Sequence, residues 1–408
     1  MKTVNRNKNF LYAKSVSISI FLIIFFSVVS IISNITNGVG SSIGLLIPLI
    51  IILLLLSKNY ISRININLSI LVFTLYFLVL LQTLSNFLFN NGDVQDLYNI
   101  IISVPVAIAL GVFIQKLFSD ISEKYLFEGF KLTLIIFIIF GWLSILIPNS
   151  KIYFGFGDFN NPVFPFAEPS YYALCVLSIS IPVIIKLNIK FKILLISNFI
   201  LQALYFPSLT LILCTLFLIA LVLRGHMKKF LLIILIAVLS ILIFGELVGE
   251  NYFFSRLDLS AGSTNISSLT YLQGWHEIFK ALQDTSGFGL GYRQMGTNSQ
   301  TEVGLMLDSY GFSDLGRKDG SFLFSRIASE FGVLGILLVC LYIFWLIFIW
   351  SKISKLNGEQ DYKILFTYFI ALSSLIELFI RGGNYLSSTL ILSVASACYL
   401  YKMTRKCL

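Results

Sequence analysis

Long stretches of this chain carry no charge at all, and that constrains its fold more than any motif does. Ile43–Leu56 is one such stretch. Runs approaching 20 mostly apolar residues are what a helix needs to cross a bilayer. Composition agrees: 57% of residues are hydrophobic and 12% charged, against about 25% charged in soluble domains. The runs predict an all-α polytopic membrane protein with about twelve transmembrane helices, at 15–33, 43–57, 67–89, 97–118, 131–147, 170–185, 193–206, 208–223, 230–248, 322–350, 364–380 and 389–401. One long polar interval, Gly249–Ser321, separates an N-terminal bundle of about nine spans (1–248) from a C-terminal bundle of about three (322–408).

Met1–Lys14 carries Lys2, Arg6, Lys8 and Lys14 and no acid, as the start of a signal peptide does. The apolar run behind it, Ser15–Ser33, is too long for a signal core, and Asn34, Ile35 and Thr36 offer no small-residue cleavage site. It reads as a retained first helix. The run from Ile193 to Leu223 is ambiguous: too short for two full crossings, too long for one. Phe206-Pro207-Ser208 lies near its middle, where proline ends or kinks a helix. Two short helices in a tight hairpin keep the topology consistent; one kinked helix would invert everything after it.

Charge placement favours the hairpin. With it, the segments on one side hold 21 of the 29 Lys and Arg but only 5 of the 20 acids. The remaining cations are Lys151, Arg256, Lys280, Arg293, Arg317, Lys318, Arg326 and Arg381, mostly in or near the polar interval. By the positive-inside rule both termini face the cytoplasm, and the polar interval faces outward. The net charge of +9 is then an orientation signal, with inner patches able to touch anionic lipid. It is no sign of nucleic acid.

Other classes fall away. Cys175, Cys214, Cys340 and Cys398 lie in predicted spans and Cys407 in the tail, with no disulfide or zinc spacing. Two histidines cannot make a His-rich metal site. With no phosphate-binding glycine loop, nucleotide-driven pumping is not expected. The sequence predicts neither metal nor cofactor.

Chemistry is expected in the polar interval, at one membrane face. Thr270 to Leu282 has apolar residues at helical spacing (Leu272, Trp275, Ile278, Phe279, Leu282), which predicts an amphipathic helix lying on the membrane. Gly287-Phe288-Gly289-Leu290-Gly291 follows it, a turn that either lets backbone approach a ligand or only reverses the chain. Before the sixth span, Glu168 precedes Pro169 at a helix start, whose N–H groups and dipole suit an anion. Glu168 is either a base, an arginine partner or a helix-start device. Glu377 and Arg381, four apart at the outer end of the eleventh span, are either an ion pair or functional. Arg317, among Asp314, Lys318 and Asp319, reads as a solvated surface charge.

Four segments together resemble the bacterial O-antigen polymerases, within the wider family of O-antigen ligases and polymerases. They are Phe166-Ala167-Glu168-Pro169-Ser170-Tyr171 before a span, and the polar interval entered through Arg256. Next is Trp275 with Gly287–Gly291, followed by Ser329-Glu330-Phe331-Gly332-Val333-Leu334-Gly335; the last is Ile380-Arg381-Gly382-Gly383-Asn384-Tyr385. Span number, orientation and loop placement match over the whole length. Departing from the family's pattern, the earlier outer loop carries only Lys151, with no arginine motif.

The resemblance implies a membrane glycosyltransferase in lipopolysaccharide and surface-polysaccharide biosynthesis. It would join oligosaccharide units carried on undecaprenyl diphosphate at the outer face of the inner membrane, with a chain-length regulator protein as a further partner. A diphosphate leaving group is already anionic, so it needs cations and N–H donors rather than an acid. Arg256, Arg293 and Arg381 are the expected diphosphate ligands, since a guanidinium grips phosphate bidentately. Glu168 or His276 is expected to take the acceptor's proton, with Glu277 a nearby residue of the right type. His276 reads equally as a solvated helix residue. Tyr271, Trp275, Tyr292 and Tyr385 are expected to pack on sugar rings. The alternatives are a ligase, which shares the topology and differs in acceptor; a lipid-linked oligosaccharide flippase, which would spread cations along its helices; and a secondary transporter, which would need ionisable or broken helices at the midplane.

Overall fold

The computed structural model describes residues 14–28, 31, 48, 76–77, 79–81, 83–84, 99–146, 162–206, 208–224, 263–312, 315–318, 320–353, 361–382 and 384–406. All of the expected span 43–57 but residue 48, all of 230–248, most of 67–89, and Arg256 lie outside the described residues. Among the described residues the chain is helical, without strands. In order the helices are α1 (Lys14–Val28), α2 (Val104–Asp120, entered through a π-helical turn at Asn99–Ser103), α3 (Glu123–Leu146), α4 (Pro169–Lys186), α5 (Ile189–Tyr205), α6 (Leu209–Val222), α7 (Ile266–Asp284), α8 (Glu302–Ser309), α9 (Leu323–Ile353), α10 (Tyr362–Phe379) and α11 (Ser388–Lys406).

Five of these stretches are long and apolar enough to cross a membrane: Ile100–Asp120, α3, α4, α9 and α10. The protein is a helical membrane protein on that ground. Twelve crossings is more than the described helices establish. Helix α1 and α6 are apolar but shorter. Helix α3 begins at Glu123, eight residues before the apolar run expected to open it, because its first two turns carry the charges Glu123, Lys124 and Glu128 and still form helix. The ambiguous Ile193–Leu223 run is two helices. Ser208 caps the second by accepting from the Leu211 N–H (3.3 Å), and α5 and α6 pack together.

The chain divides into two compact units. One comprises Met1–Val183, Leu346–Ser374 and Leu386–Leu408; the other comprises Ile184–Trp345 and Leu375–Tyr385. The first is a helix bundle with an aromatic core. Phe25 and Phe26 of α1 meet each other edge-on, and Phe26 meets Phe137 of α3 in the same way. Phe118 of α2 packs edge-on against Phe366 and Tyr399, joining α2 to α10 and α11. Several of its buried polar groups are paired: Thr133 donates to Ser19, Tyr362 to the Pro182 carbonyl and Ser388 to the Phe25 carbonyl. Such bonds are needed where no water reaches.

The second unit holds the polar interval together with α5, α6 and the first two-thirds of α9. Asn265 caps α7 by accepting from the Ser267 and Ser268 N–H groups, and Thr301 caps α8 through Gly304. The apolar stripe of α7 is used inside the unit. Leu269 and Leu272 meet Val303 and Leu307 of α8, while Tyr271, Trp275, Ile278 and Leu282 surround Phe322 at the start of α9. The expectation of a helix floating on the membrane by this face is corrected here: its face is covered by protein, with Phe279 alone of the expected residues exposed.

Candidate functional site

Helix α9 is not continuous. Gly332 has φ 58° and ψ −142°, so two helical pieces join at a sharp break. A break exposes backbone groups that α-helical bonding would have consumed, and the Gly287–Gly291 turn takes them up. The Leu290 N–H donates to the Ser329 carbonyl (2.9 Å), Gly291 N–H to the Glu330 carbonyl (2.8 Å), and Val333 N–H to the Gly287 carbonyl (2.9 Å). The approach is so close that only glycine fits. A Cβ on Gly289 would stand 2.4 Å from the Gly332 nitrogen, and one on Gly332 would meet the Gly287 oxygen at 2.0 Å. The glycine-rich turn is thus a clamp on a broken helix.

On that break sits an ionic cluster that the sequence reading passed over. Arg326 Nε donates to Glu330 Oε1 at 2.8 Å, with the two side chains only 11% and 0% exposed. The Tyr385 hydroxyl donates to Glu330 Oε2 at 3.0 Å. Arg326 also lies 5.0 Å over the Tyr385 ring, and Tyr292 stacks on that ring at 5.8 Å. Burial pushes the Tyr385 phenol well above its ordinary range, with Glu330 adding to the rise, so it remains a donor. Both carboxylate oxygens of Glu330 are therefore engaged, and a positive charge is fixed beside two aromatic rings. Two opposite charges four residues apart at the head of an apolar run were the available signal.

Two of the expected residues belong to this cluster, and two more lie close to them in sequence. Tyr292 and Tyr385 form the stack itself, with Arg293 following Tyr292 in a left-handed conformation (φ 57°). Arg381 lies two residues past the end of α10, its N–H bonded to the Ile376 carbonyl, while the next residue, Gly382, donates to the Ser321 carbonyl. The stack thus draws the chain segments of Arg293 and Arg381 together. Tyr271 donates its hydroxyl to the Phe379 carbonyl (2.9 Å), and its ring lies 4.8 Å from that of Phe322. Trp275 packs on Phe322 and Phe324. The principal ring partners of these two expected sugar platforms are protein.

Glu168 belongs to the other unit. It immediately precedes α4, accepts from the Ser170 hydroxyl (2.8 Å), and its carbonyl receives the Tyr172 N–H, as a helix-start device does. His276 is half-buried on α7. Its neighbour Glu277 is the more unusual group. It is fully buried, Gln273 donates to its Oε1 (2.7 Å), Thr301 in turn donates to Gln273, and Oε2 has no hydrogen-bond partner among the described residues. Burial raises its carboxyl from the ordinary 4.5 to about 7, against the opposing pull of Arg317 and the Gln273 bond. Arg317 is accordingly no solvated charge: it is half-buried and donates to the Asn298 carbonyl (2.7 Å). Among the described residues no group of three or more His, Cys, Asp or Glu is placed to hold a metal ion. No family model, curated protein or solved structure matches the chain.

Proposed function

We propose that this protein is a membrane glycosyltransferase that polymerises undecaprenyl-diphosphate-linked oligosaccharide units into a surface polysaccharide. One observation carries the reading. Three segments far apart in sequence, Gly287–Gly291, Ser329–Gly335 and Ile380–Tyr385, meet at the α9 break through the Gly291–Glu330, Gly287–Val333 and Tyr385–Glu330 bonds. These are the same segments that carry the resemblance to the polymerases. A flippase has no need to gather them.

In the proposed reaction the acceptor sugar's hydroxyl attacks the donor's anomeric carbon, the C–O bond to the diphosphate breaks, and undecaprenyl diphosphate leaves with the electron pair. Arg293 and Arg381, tethered beside the Tyr292–Tyr385 stack, are the cations for that leaving group, with Arg256 a third. Arg326 and Glu330 are positioning residues that fix Tyr385 and hold the break in shape. The acceptor's proton goes to Glu168 or His276. Glu277, with an affinity for protons near neutrality, has the ionisation a base at pH 7 wants.

Deleting the gene tests the reading. A polymerase mutant leaves a single repeat unit on the glycan core, and a ligase mutant leaves none; the proposal expects one. Complementation then separates the bases. Glu168→Gln, which keeps size but removes basicity, is expected to stop chain growth at normal protein level. If it extends chains normally and His276→Ala does not, the base is His276.

A further inference from the structure

Phe288 is the most exposed large apolar side chain among the described residues, at 85%, and it stands on a rigid turn. Its own N–H is bonded to the Thr285 carbonyl (3.1 Å), the Gly287 N–H to the Leu282 carbonyl (2.8 Å), and the Gly289 N–H to the Thr285 hydroxyl (2.8 Å). A phenyl ring held out this firmly is not a ring that failed to find a core. Its surroundings say what it meets. The Val333 N–H is bonded to the Gly287 carbonyl, so Phe288 sits against the first turn of the second piece of α9. That piece presents Val333 (60%) and Leu334 (61%), then Leu337, Leu338, Leu341 and Phe344, all exposed. In a helix apolar enough to cross a membrane, this row is a face toward lipid.

Length gives the depth. Val333 to Ile353 is 21 residues (353 − 333 + 1), which rise about 31 Å at 1.5 Å each. That alone matches a hydrocarbon core of about 30 Å. A crossing of that length would put the Gly332 break at the edge of the hydrocarbon, with residues 323–331 above it in the headgroup layer.

We propose that Phe288 is inserted among the acyl chains of the bilayer, making the Thr285–Gly291 turn a membrane anchor. It continues the lipid-facing row of α9 and sets the Arg326–Glu330–Tyr385 cluster at headgroup depth. The inference rests on the membrane character of α9 and stands whether or not the protein polymerises glycans. Aromatic rings favour this boundary, where an apolar body meets lipid beside a polar layer.

The test uses the full-length protein in phosphatidylcholine–phosphatidylglycerol vesicles. Spin labels go on Phe288→Cys, Leu337→Cys and Ser299→Cys in a background with the five native cysteines replaced. The label at 288 is expected to resemble that at 337, open to oxygen and closed to a water-soluble nickel chelate, with 299 the reverse. Water exposure like that at 299 would overturn the proposal. So would shielding from both reagents, which means a protein cover. So would shielding that appears only when undecaprenyl diphosphate is added, which means the surface belongs to the carrier's tail. Should the cysteine-free protein not fold, benzoylphenylalanine at 288 in the native chain gives the same answer. Photo-crosslinking to phospholipid supports insertion, and its absence, with a crosslink at 337, refutes it.

Discussion

Glu330 has both oxygens engaged and no contact with water, so its charge is tolerable only while Arg326 and Tyr385 stay in place. Removing one partner of a buried pair costs about 3–5 kcal/mol. We expect Arg326→Met to lower the thermal midpoint in detergent sharply, and Arg326→Met/Glu330→Met to restore much of it without restoring activity. Arg326→Lys keeps the charge but loses the planar group that lies over Tyr385, so it is expected to fold and to polymerise poorly. Wild-type glycan ladders from Arg326→Lys would remove the cluster from the account. Glu277 makes a pH prediction. Its folded value of about 7 lies above the ordinary 4.5, so the unfolded chain ionises first as pH rises. Stability is then full below about 4.5 and declines toward pH 7, where the penalty is complete. Glu277→Gln is expected to flatten the melting profile between those values; an unchanged slope contradicts the assignment. Neither group was fully legible. Arg326 and Glu330 show their spacing in the sequence, but the third member, Tyr385, lies 55 residues on. Nothing local marks Glu277 as buried, because Thr301 and Arg317, which close its surroundings, come from other turns.

Local rules served best for single elements. The break at Phe206–Ser208 follows from proline and a serine cap, and the start of α4 from Pro169. The amphipathic period of α7 was legible too, though not what would cover it. Periodicity tells that a face is apolar, not whether lipid or protein meets it. The α9 break was hidden for a related reason. Gly332 lies in a continuous apolar run, and only the Gly287–Gly291 turn, about forty residues earlier, gives it a reason to leave the helix. Both sides of that contact are backbone, so no side-chain pattern reports it. We expect Gly289→Ala and Gly332→Ala each to abolish chain growth and reduce folded yield, since a methyl at either place collides with main chain. Size-exclusion profiles at wild-type yield for both variants would show that the clamp is dispensable.

At the scale of the whole molecule, the charge asymmetry is the basis of the expected orientation, and the described helices carry the membrane character. The 21-to-8 division of cations expects a reporter fused at Asn298 to be active outside the cytoplasm and one at Asn357 inside. Activity of both on one side would break that map and with it the siting of the cluster at the outer face. Span number was the least secure part of the sequence reading: α11, expected as a crossing and packed on α2, is not among the five stretches that are long and apolar enough to be counted on that ground. The central claim is bond formation. It is tested most directly by giving the purified protein, in lipid nanodiscs, undecaprenyl-diphosphate-linked repeat units with no nucleotide. The account predicts a ladder of glycans growing on the lipid carrier, with undecaprenyl diphosphate released once per added unit, and loss of that ladder in Arg293→Ala and Arg381→Ala. Folded protein that leaves every repeat unit unjoined would contradict it.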